Sequence, residues 1–343
     1  MKLIHVGAHF HPHVGGVERH MLRVAECLAE RGHEVTVVAG DHTGNLPQEE
    51  LLGAVRVLRF PATRSLWRMR LWFLRRCRWF RSADAVHLHT PYGFGLLRWA
   101  GVPRRKRVYT AHGWGGKCPI PEEAKRLARQ RADQSARLVC VGDFIDAWYG
   151  THADMVTYGA TEVVEVPGVS PRAGQVCLLG RLAQDTGVLV FADGLRLLAE
   201  RTGEKMTVVV CGDGPLSDEV RRRLTHPAIL LDMRGFVERP EWVVAESSVT
   251  LTSGFLGILE AMALGSAVLA VSDNPVKEDY LGLSPMAEWI SIARTAEDVA
   301  AMLVERLHEP AESSRRQAGR EFARNQTWEK VVEGYERLYR ELG

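Results

Sequence analysis

Arg181 stands in the stretch GRLAQDTGV (180–188), just after an apolar run, QVCLLG, and just before a second that repeats at helical spacing. An arginine at a strand end presents two parallel N–H donors, and that fork suits a diphosphate. Asp185, four residues on, offers the plainer alternative of a surface ion pair. Thr186 occupies the place where a second cation is wanted, and it carries no charge. Lys277, in DNPVKEDYL after another apolar run, is a candidate substitute.

A second stretch, LTSGFLGILEAMALG, opens a helix at Gly254. The first amides of a helix lack internal partners and favour an anion, so those of Gly254, Phe255, Leu256 and Gly257 are candidates for a phosphate. Glu260, about one turn in, suits a ribose diol, or simply complements the helix dipole. Gly15 and Gly16 sit between an opening strand and a helix, where glycines let a backbone approach a phosphate or merely make a tight turn. GGVERH matches neither the dinucleotide fingerprint nor the P-loop, which argues against a dehydrogenase or an ATPase. His112 follows the strand RVYTA in a glycine-rich loop with Trp114, and either hydrogen-bonds a substrate hydroxyl or phosphate or is a loop histidine satisfied by its neighbours. His87 and His89 in VHLHT are read as alternating along a strand and so facing opposite sides, which disfavours a metal pair. No Asp-x-Asp stretch or linear His/Cys/carboxylate spacing suggests a ligand set, so neither metal nor cofactor is expected.

These residues need strands and helices to place them. KLIHVG, a glycine loop, an amphipathic helix with Met21, Val24, Ala25 and Leu28 on one face, and EVTVVAG make a β-α-β unit. Such a unit implies a parallel sheet with a right-handed crossover. Apolar runs continue at AVRVLRF, AVHLHT, RVYTAHG and ARLVCVG. After Pro167-Gly168 the alternation restarts with QVCLLGR, and continues through MTVVVCGDG, AILLDMRGF, VTLTSG and AVLAVSD. The expectation is an α/β chain of two doubly wound Rossmann-like halves facing across a cleft, with ligand chemistry at the carboxyl ends of the strands. A long amphipathic helix is expected over 314–342.

At 343 residues, two domains are expected. A net charge of +2 gives no reason to expect nucleic acid as a partner. The six cysteines form no C-x-x-C pair, which fits a reducing cytoplasm. The apolar run at the start is too short for a signal peptide, and no run approaches a spanning helix. Residues 64–81, RSLWRMRLWFLRRCRWFR, carry seven arginines, three tryptophans and no acid. On one helix, Leu66, Met69, Phe73, Cys77 and Phe80 share a face opposite Arg64, Arg68, Arg75 and Arg78. The plain reading is a core-packed helix with a solvated basic face. The sharper one is a peripheral contact with anionic lipid, flanked by Trp67, Trp72 and Trp79, at the inner face of the membrane.

In this order and spacing, GGVERH, DAVHLH, YTAHG, VPGV, GRLAQDTGV, CGDGP, RGFV, ILEAMALGSAVLAV and NQTWEKVVEGYERLY resemble the retaining GT-B glycosyltransferases of family 4. The resemblance covers nearly the whole chain. It implies an acceptor-side domain over 1–166, a nucleotide-sugar domain over 167–313, and a terminal helix over 314–343 that crosses back. It implies metal-independent transfer of a sugar from a nucleoside diphosphate sugar to a saccharide or lipid-linked acceptor. Carried over by position, Gly16 meets the diphosphate, His112 the donor sugar and Arg181 a phosphate. The backbone of Phe236 or Val237 meets the base, and Glu260 the ribose. The chain departs from the pattern at Thr186, usually lysine, at Thr252, usually glutamate, and at Pro167, usually asparagine. These departures leave open a nucleotide-sugar-binding pseudo-enzyme, or a GT-B epimerase or phosphorylase-type enzyme.

Overall fold

The computed structural model describes residues 1–61, 66–113, 115–162 and 164–342. Trp114, Arg64 and the side chain of Leu66, named above, lie outside the described residues. The chain forms two compact units, Met1–Gly159 with Trp328–Gly343, and Ala160–Thr327.

The first unit runs β1 (Lys2–Val6), α1 (Gly16–Glu30), β2 (Glu34–Gly40), β3 (Glu49–Leu52), β4 (Val55–Phe60), α2 (Leu66–Leu74), α3 (Cys77–Ser82), β5 (Ala85–Leu88), α4 (Gly93–Trp99), β6 (Arg107–Ala111), α5 (Glu122–Asp133), β7 (Arg137–Val141), α6 (Phe144–Tyr149) and β8 (Met155–Thr157). The second runs β9 (Arg172–Leu179), α7 (Val188–Thr202), β10 (Met206–Cys211), α8 (Ser217–Leu224), β11 (Ile229–Gly235), α9 (Glu241–Glu246), β12 (Ser247–Leu251), α10 (Phe255–Ala263), β13 (Ala267–Val271), α11 (Pro275–Gly282), β14 (Ser291–Ala293), α12 (Ala296–Leu307) and α13 (Ser314–Arg324). The terminal α14 (Trp328–Arg340) belongs to the first unit.

The first sheet has the order β3-β4-β2-β1-β5-β6-β7-β8 and the second β11-β10-β9-β12-β13-β14. All their pairings are parallel except β3 with β4, at an edge where Glu49 and Glu50 are charged. Charge on an edge strand discourages pairing with a second chain. Strands covered by helices on both faces read as unbroken apolar runs, and every residue of β12 and β13 is buried. In each sheet the chain winds outward both ways from its first long strand, β1 or β9. A ligand crevice in such a sheet lies where the strand order reverses, at the carboxyl ends of β1 and β5 or of β9 and β12.

Two helical expectations need correction. The long helix over 314–342 is two helices, with Asn325 capping α13. The Arg316 guanidinium in α13 donates to the Gly265 carbonyl, and Thr161 N–H donates to the Gln326 carbonyl at 2.9 Å, all within the second unit. On α14, Glu336 accepts from Arg31 and from His33 of the first unit, at 3.1 and 2.7 Å. The amphipathic pattern runs on through the break because each half buries its apolar face in its own unit. The basic helix over 64–81 is likewise two, α2 and α3. Phe73 and Phe80 face inward, stacked with centroids 5.3 Å apart, while Arg68, Arg75 and Arg78 are exposed. At the break Arg76 folds its guanidinium over the Trp72 ring, 4.0 Å from the centroid.

Candidate active site

In the second unit the reversal point sets the β9–α7 loop beside the loop leading into α10. Gly180, just past β9, has φ +126 and Gly187 has φ +77, conformations that glycine reaches without strain. Between them Arg181 is 64% exposed and donates to the Asp185 carboxylate at 2.7 Å. The ion pair with Asp185 weighed above is therefore the one formed. The Thr186 hydroxyl donates to the carbonyls of Arg181 and Ala183, at 3.0 and 2.8 Å, and so tightens the loop.

Lys277 reaches the same loop from α11. Asn274 caps that helix by accepting from the Lys277 amide at 3.0 Å, and Pro275 opens it. The Lys277 side chain is only 2% exposed, and Nζ donates to the Asp185 carbonyl at 3.2 Å with the Asp273 carboxylate 3.9 Å away. A Cβ on Gly187 would fall 3.0 Å from that nitrogen, so this glycine makes room for the ammonium. Burial pushes the Lys277 pKa down, against the opposing pull of Asp273 and Asp185.

Gly254 is the N-cap of α10. The Phe255 amide already donates to the Tyr280 hydroxyl at 3.1 Å, and the two rings stack at 3.9 Å. Leu256, Gly257 and Glu260 are half-buried on the same helix. Thr252 is buried against Gly257, where a Cβ would come within 2.7 Å of its hydroxyl. Phe236 and Val237 follow β11, with Phe236 60% exposed.

In the first unit Gly15 caps α1. A Cβ there would collide with the Glu18 carboxylate, whereas one on Gly16 meets nothing. Glu18 pairs with His13 at 3.3 Å, so the start of α1 already faces a carboxylate of its own.

His112 lies just past β6, half-buried, with its Nε2 3.0 Å from His89 Nδ1. His87 and His89 do not face opposite sides. The side-chain period of a strand is two, so residues i and i+2 share a face, and the two rings stack with centroids 4.3 Å apart. His5 stands beside His87 in the β1–β5 register and joins them. His5, His87 and His89 each bring a nitrogen within 4.8 Å of the others, a grouping that linear spacing hides. Five of their six ring nitrogens take part in hydrogen bonds: His5 Nδ1 with His89 Nε2, His89 Nδ1 with His112, and both nitrogens of His87 with Tyr339 and Thr110. His20, from α1, bonds the Tyr335 hydroxyl at 2.9 Å. Burial lowers the pKa of all five histidines, His5 to about 3 and His20 to about 4, so they are neutral at neutral pH.

Residues 14–155 match the model of Glycosyltransferase Family 4. Phosphatidyl-myo-inositol mannosyltransferase of Mycobacterium tuberculosis is 26% identical over 286 residues, spanning 75% of this chain and 74% of that protein. In structure, the chain is similar to sucrose-phosphate synthase from Thermosynechococcus elongatus, with TM-score 0.76, 15% identity, and coverage of 99% of this chain and 98% of that one. It is also similar to Anabaena HepE in complex with UDP and glucose, with TM-score 0.73, 14% identity and coverage of 98% of both chains. With two Rossmann-like units built on parallel sheets, and residues 14–155 matching Glycosyltransferase Family 4, the chain has the fold of the GT-B glycosyltransferases.

Proposed function

We propose that this glycosyltransferase takes its sugar from a nucleoside diphosphate sugar, with retention and without a metal, and delivers it to a saccharide or lipid-linked acceptor. The observation that carries the donor class is the pair of cations at one loop, Arg181 at 2.7 Å from the Asp185 carboxylate and Lys277 at 3.2 Å from the Asp185 carbonyl. An exposed i,i+4 ion pair is worth roughly 0.3–0.5 kcal/mol, so a diphosphate displaces Asp185 from Arg181 at little cost. Charge on the leaving diphosphate grows as the sugar bond breaks, and fixed cations with oriented helix amides stabilise it without a divalent ion. Retention rests on the sequence resemblance. The Mycobacterium relative's name makes a mannosyl donor and an inositol phospholipid the first donor and acceptor to try. The exposed arginines of α2 and α3 suit an anionic lipid surface at which such an acceptor is met.

The test is a thermal-shift screen against UDP-, GDP-, ADP- and dTDP-sugars, followed by transfer assays with and without EDTA. A donor at about 100 times its dissociation constant adds about 2.7 kcal/mol. Stabilisation by one nucleotide class, with transfer that survives EDTA, supports the reading. Transfer abolished by EDTA and restored by magnesium or manganese overturns its metal-independent part. A second reading, a sugar-nucleotide binder without turnover, is favoured by the buried threonine at position 252. Stabilisation with neither transfer nor donor hydrolysis selects it.

A further inference from the structure

The buried histidines of the first unit separate into two hydrogen-bonded strings. In one, His87 lies between the Tyr339 hydroxyl at 2.6 Å and the Thr110 hydroxyl at 2.7 Å. Thr110 is 3.4 Å from the Tyr335 hydroxyl, which bonds His20. Hydroxyls can both donate and accept, so this string satisfies either tautomer of its rings. The other string has no hydroxyl in it. His5 Nδ1 meets His89 Nε2 at 3.0 Å, and His89 Nδ1 meets His112 Nε2 at 3.0 Å. At its inner end His5 Nε2 is buried with no hydrogen-bond partner among the described residues. At its outer end His112 keeps part of its surface exposed.

Three neutral imidazoles in a row carry one proton each, so the string has only two arrangements. In the inward one, His112 Nε2–H donates to His89, His89 Nε2–H donates to His5, and His5 holds a buried Nε2–H that no described residue accepts. In the outward one, His5 Nδ1–H donates to His89, His89 Nδ1–H donates to His112, and the inner end is a bare lone pair. The outer end satisfies either arrangement with water or ligand, so the inner end decides. Buried N–H groups without acceptors are rarer in proteins than unsatisfied acceptors. The outward arrangement therefore prevails.

We propose that His89 and His5 are positioning residues that hold His112 as the Nδ1–H tautomer, so that its outer nitrogen presents a hydrogen-bond donor to an oxygen of the sugar substrate. This rests on the reading of His112 as a substrate contact. The ring order is specific: a change at His5, two rings away and in the core, alters what His112 shows at the surface. The partner chemistry follows from the donor. A hydroxyl or phosphate oxygen with a free lone pair is accepted, and an N–H or ammonium in that place is refused.

The experiment uses the full chain labelled with 15N-histidine and long-range 1H–15N correlation, which reads the tautomer of each ring directly. In the wild type His112 is expected as the Nδ1–H form, without titrating between about pH 5 and 8. His89→Leu is expected to release that tautomer and to lower kcat/KM roughly tenfold, the scale of one neutral hydrogen bond lost. His89→Asn, whose amide nitrogen takes the place of Nδ1–H, is expected to restore both. The wild-type spectrum alone keeps the proposal falsifiable if His89→Leu does not fold. An Nε2–H tautomer at His112, or a tautomer unmoved by His89→Leu, overturns it. So does stoichiometric zinc or copper in the purified protein with His5, His87 and His89 as its ligands. A tautomer that switches in His89→Leu with transfer unchanged upholds the string and overturns the substrate contact at His112.

Discussion

Lys277 Nζ donates to the main-chain oxygen of Asp185 at 3.2 Å, while the carboxylate of that same Asp185 holds Arg181 at 2.7 Å. One aspartate thus joins the two cations proposed to meet the donor diphosphate, one buried and one exposed.

Lys277 makes binding and stability respond to pH with opposite signs. Its folded pKa lies below the ordinary 10.5, so the unfolded chain binds more protons in the window between the two values. The empty protein therefore gains stability as pH rises through that window. A bound diphosphate favours the ammonium, so donor affinity falls as pH rises through the lowered pKa. Calorimetric titration of the nucleoside diphosphate across that range is expected to show this fall in the wild type. Lys277→Met is expected to bind roughly tenfold or more weakly at neutral pH, with a flat profile, as fits the loss of a charge-assisted contact. A flat wild-type profile, or unchanged affinity in Lys277→Met, removes Lys277 from the site.

In the proposed transfer Arg181 meets charge that grows in the transition state, so its loss should weigh more on turnover than on binding. Arg181→Ala is expected to lower kcat by roughly 10²-fold or more, the scale of one strong oxyanion contact. Arg181→Lys is expected to recover part of this, because the bidentate fork is gone. Asp185→Asn frees Arg181 from a pair worth roughly 0.3–0.5 kcal/mol, so donor affinity should rise about twofold. Steady-state transfer with calorimetric donor binding reads all three variants. Wild-type turnover in Arg181→Ala would show that the arginine serves only its surface pair.

The exposed Arg68, Arg75 and Arg78, with Trp67 66% exposed, predict adsorption to anionic vesicles. Each arginine near such a surface contributes about 1 kcal/mol. Replacing all three by glutamine should weaken binding by about two orders of magnitude, and added salt should weaken the wild type. Vesicle sedimentation checks this. Equal binding to neutral and anionic vesicles would reduce α2 and α3 to a solvated surface.

Much of the fold is legible in the order of residues because parallel strands covered on both faces are unbroken apolar runs, as in AVLAV of β13. The Arg181–Asp185 pair is legible too, since the two residues stand only four apart in one short loop. What sequence hides is lateral. The break at 325–327 leaves the amphipathic pattern intact. Lys277 meets the β9–α7 loop only because β13, which leads into α11, is separated from β9 by β12 alone. His5 joins His87 only through the pairing of β1 with β5. The sharing of one face by His87 and His89 was available from the two-residue period alone.

The buried histidines should also set the acid limit of the fold. His5, His20, His87, His89 and His112 all have folded pKa values below the ordinary 6.5, His5 at about 3 and His20 at about 4. Below pH 6.5 the unfolded chain takes up protons that the folded one refuses, so stability falls on acidification from that pH toward the folded values. Each such histidine removes about 1.4 kcal/mol per pH unit once the unfolded side chain is protonated. Arg31 and His33 hold the Glu336 carboxyl below the ordinary carboxylate range, so that carboxyl does not titrate between about pH 6.5 and 5, where the histidines of the unfolded chain do. Urea unfolding across that range is expected to give a midpoint that drops steeply with pH. His5→Asn removes one titrating ring and can still donate an amide hydrogen to His89. It is expected to flatten the slope by about one proton without lowering the limit set by the other four. A wild-type midpoint that stays level from pH 7 to about 5 would mean that these rings protonate inside the fold, and the neutral string from His5 to His112 would fall with it.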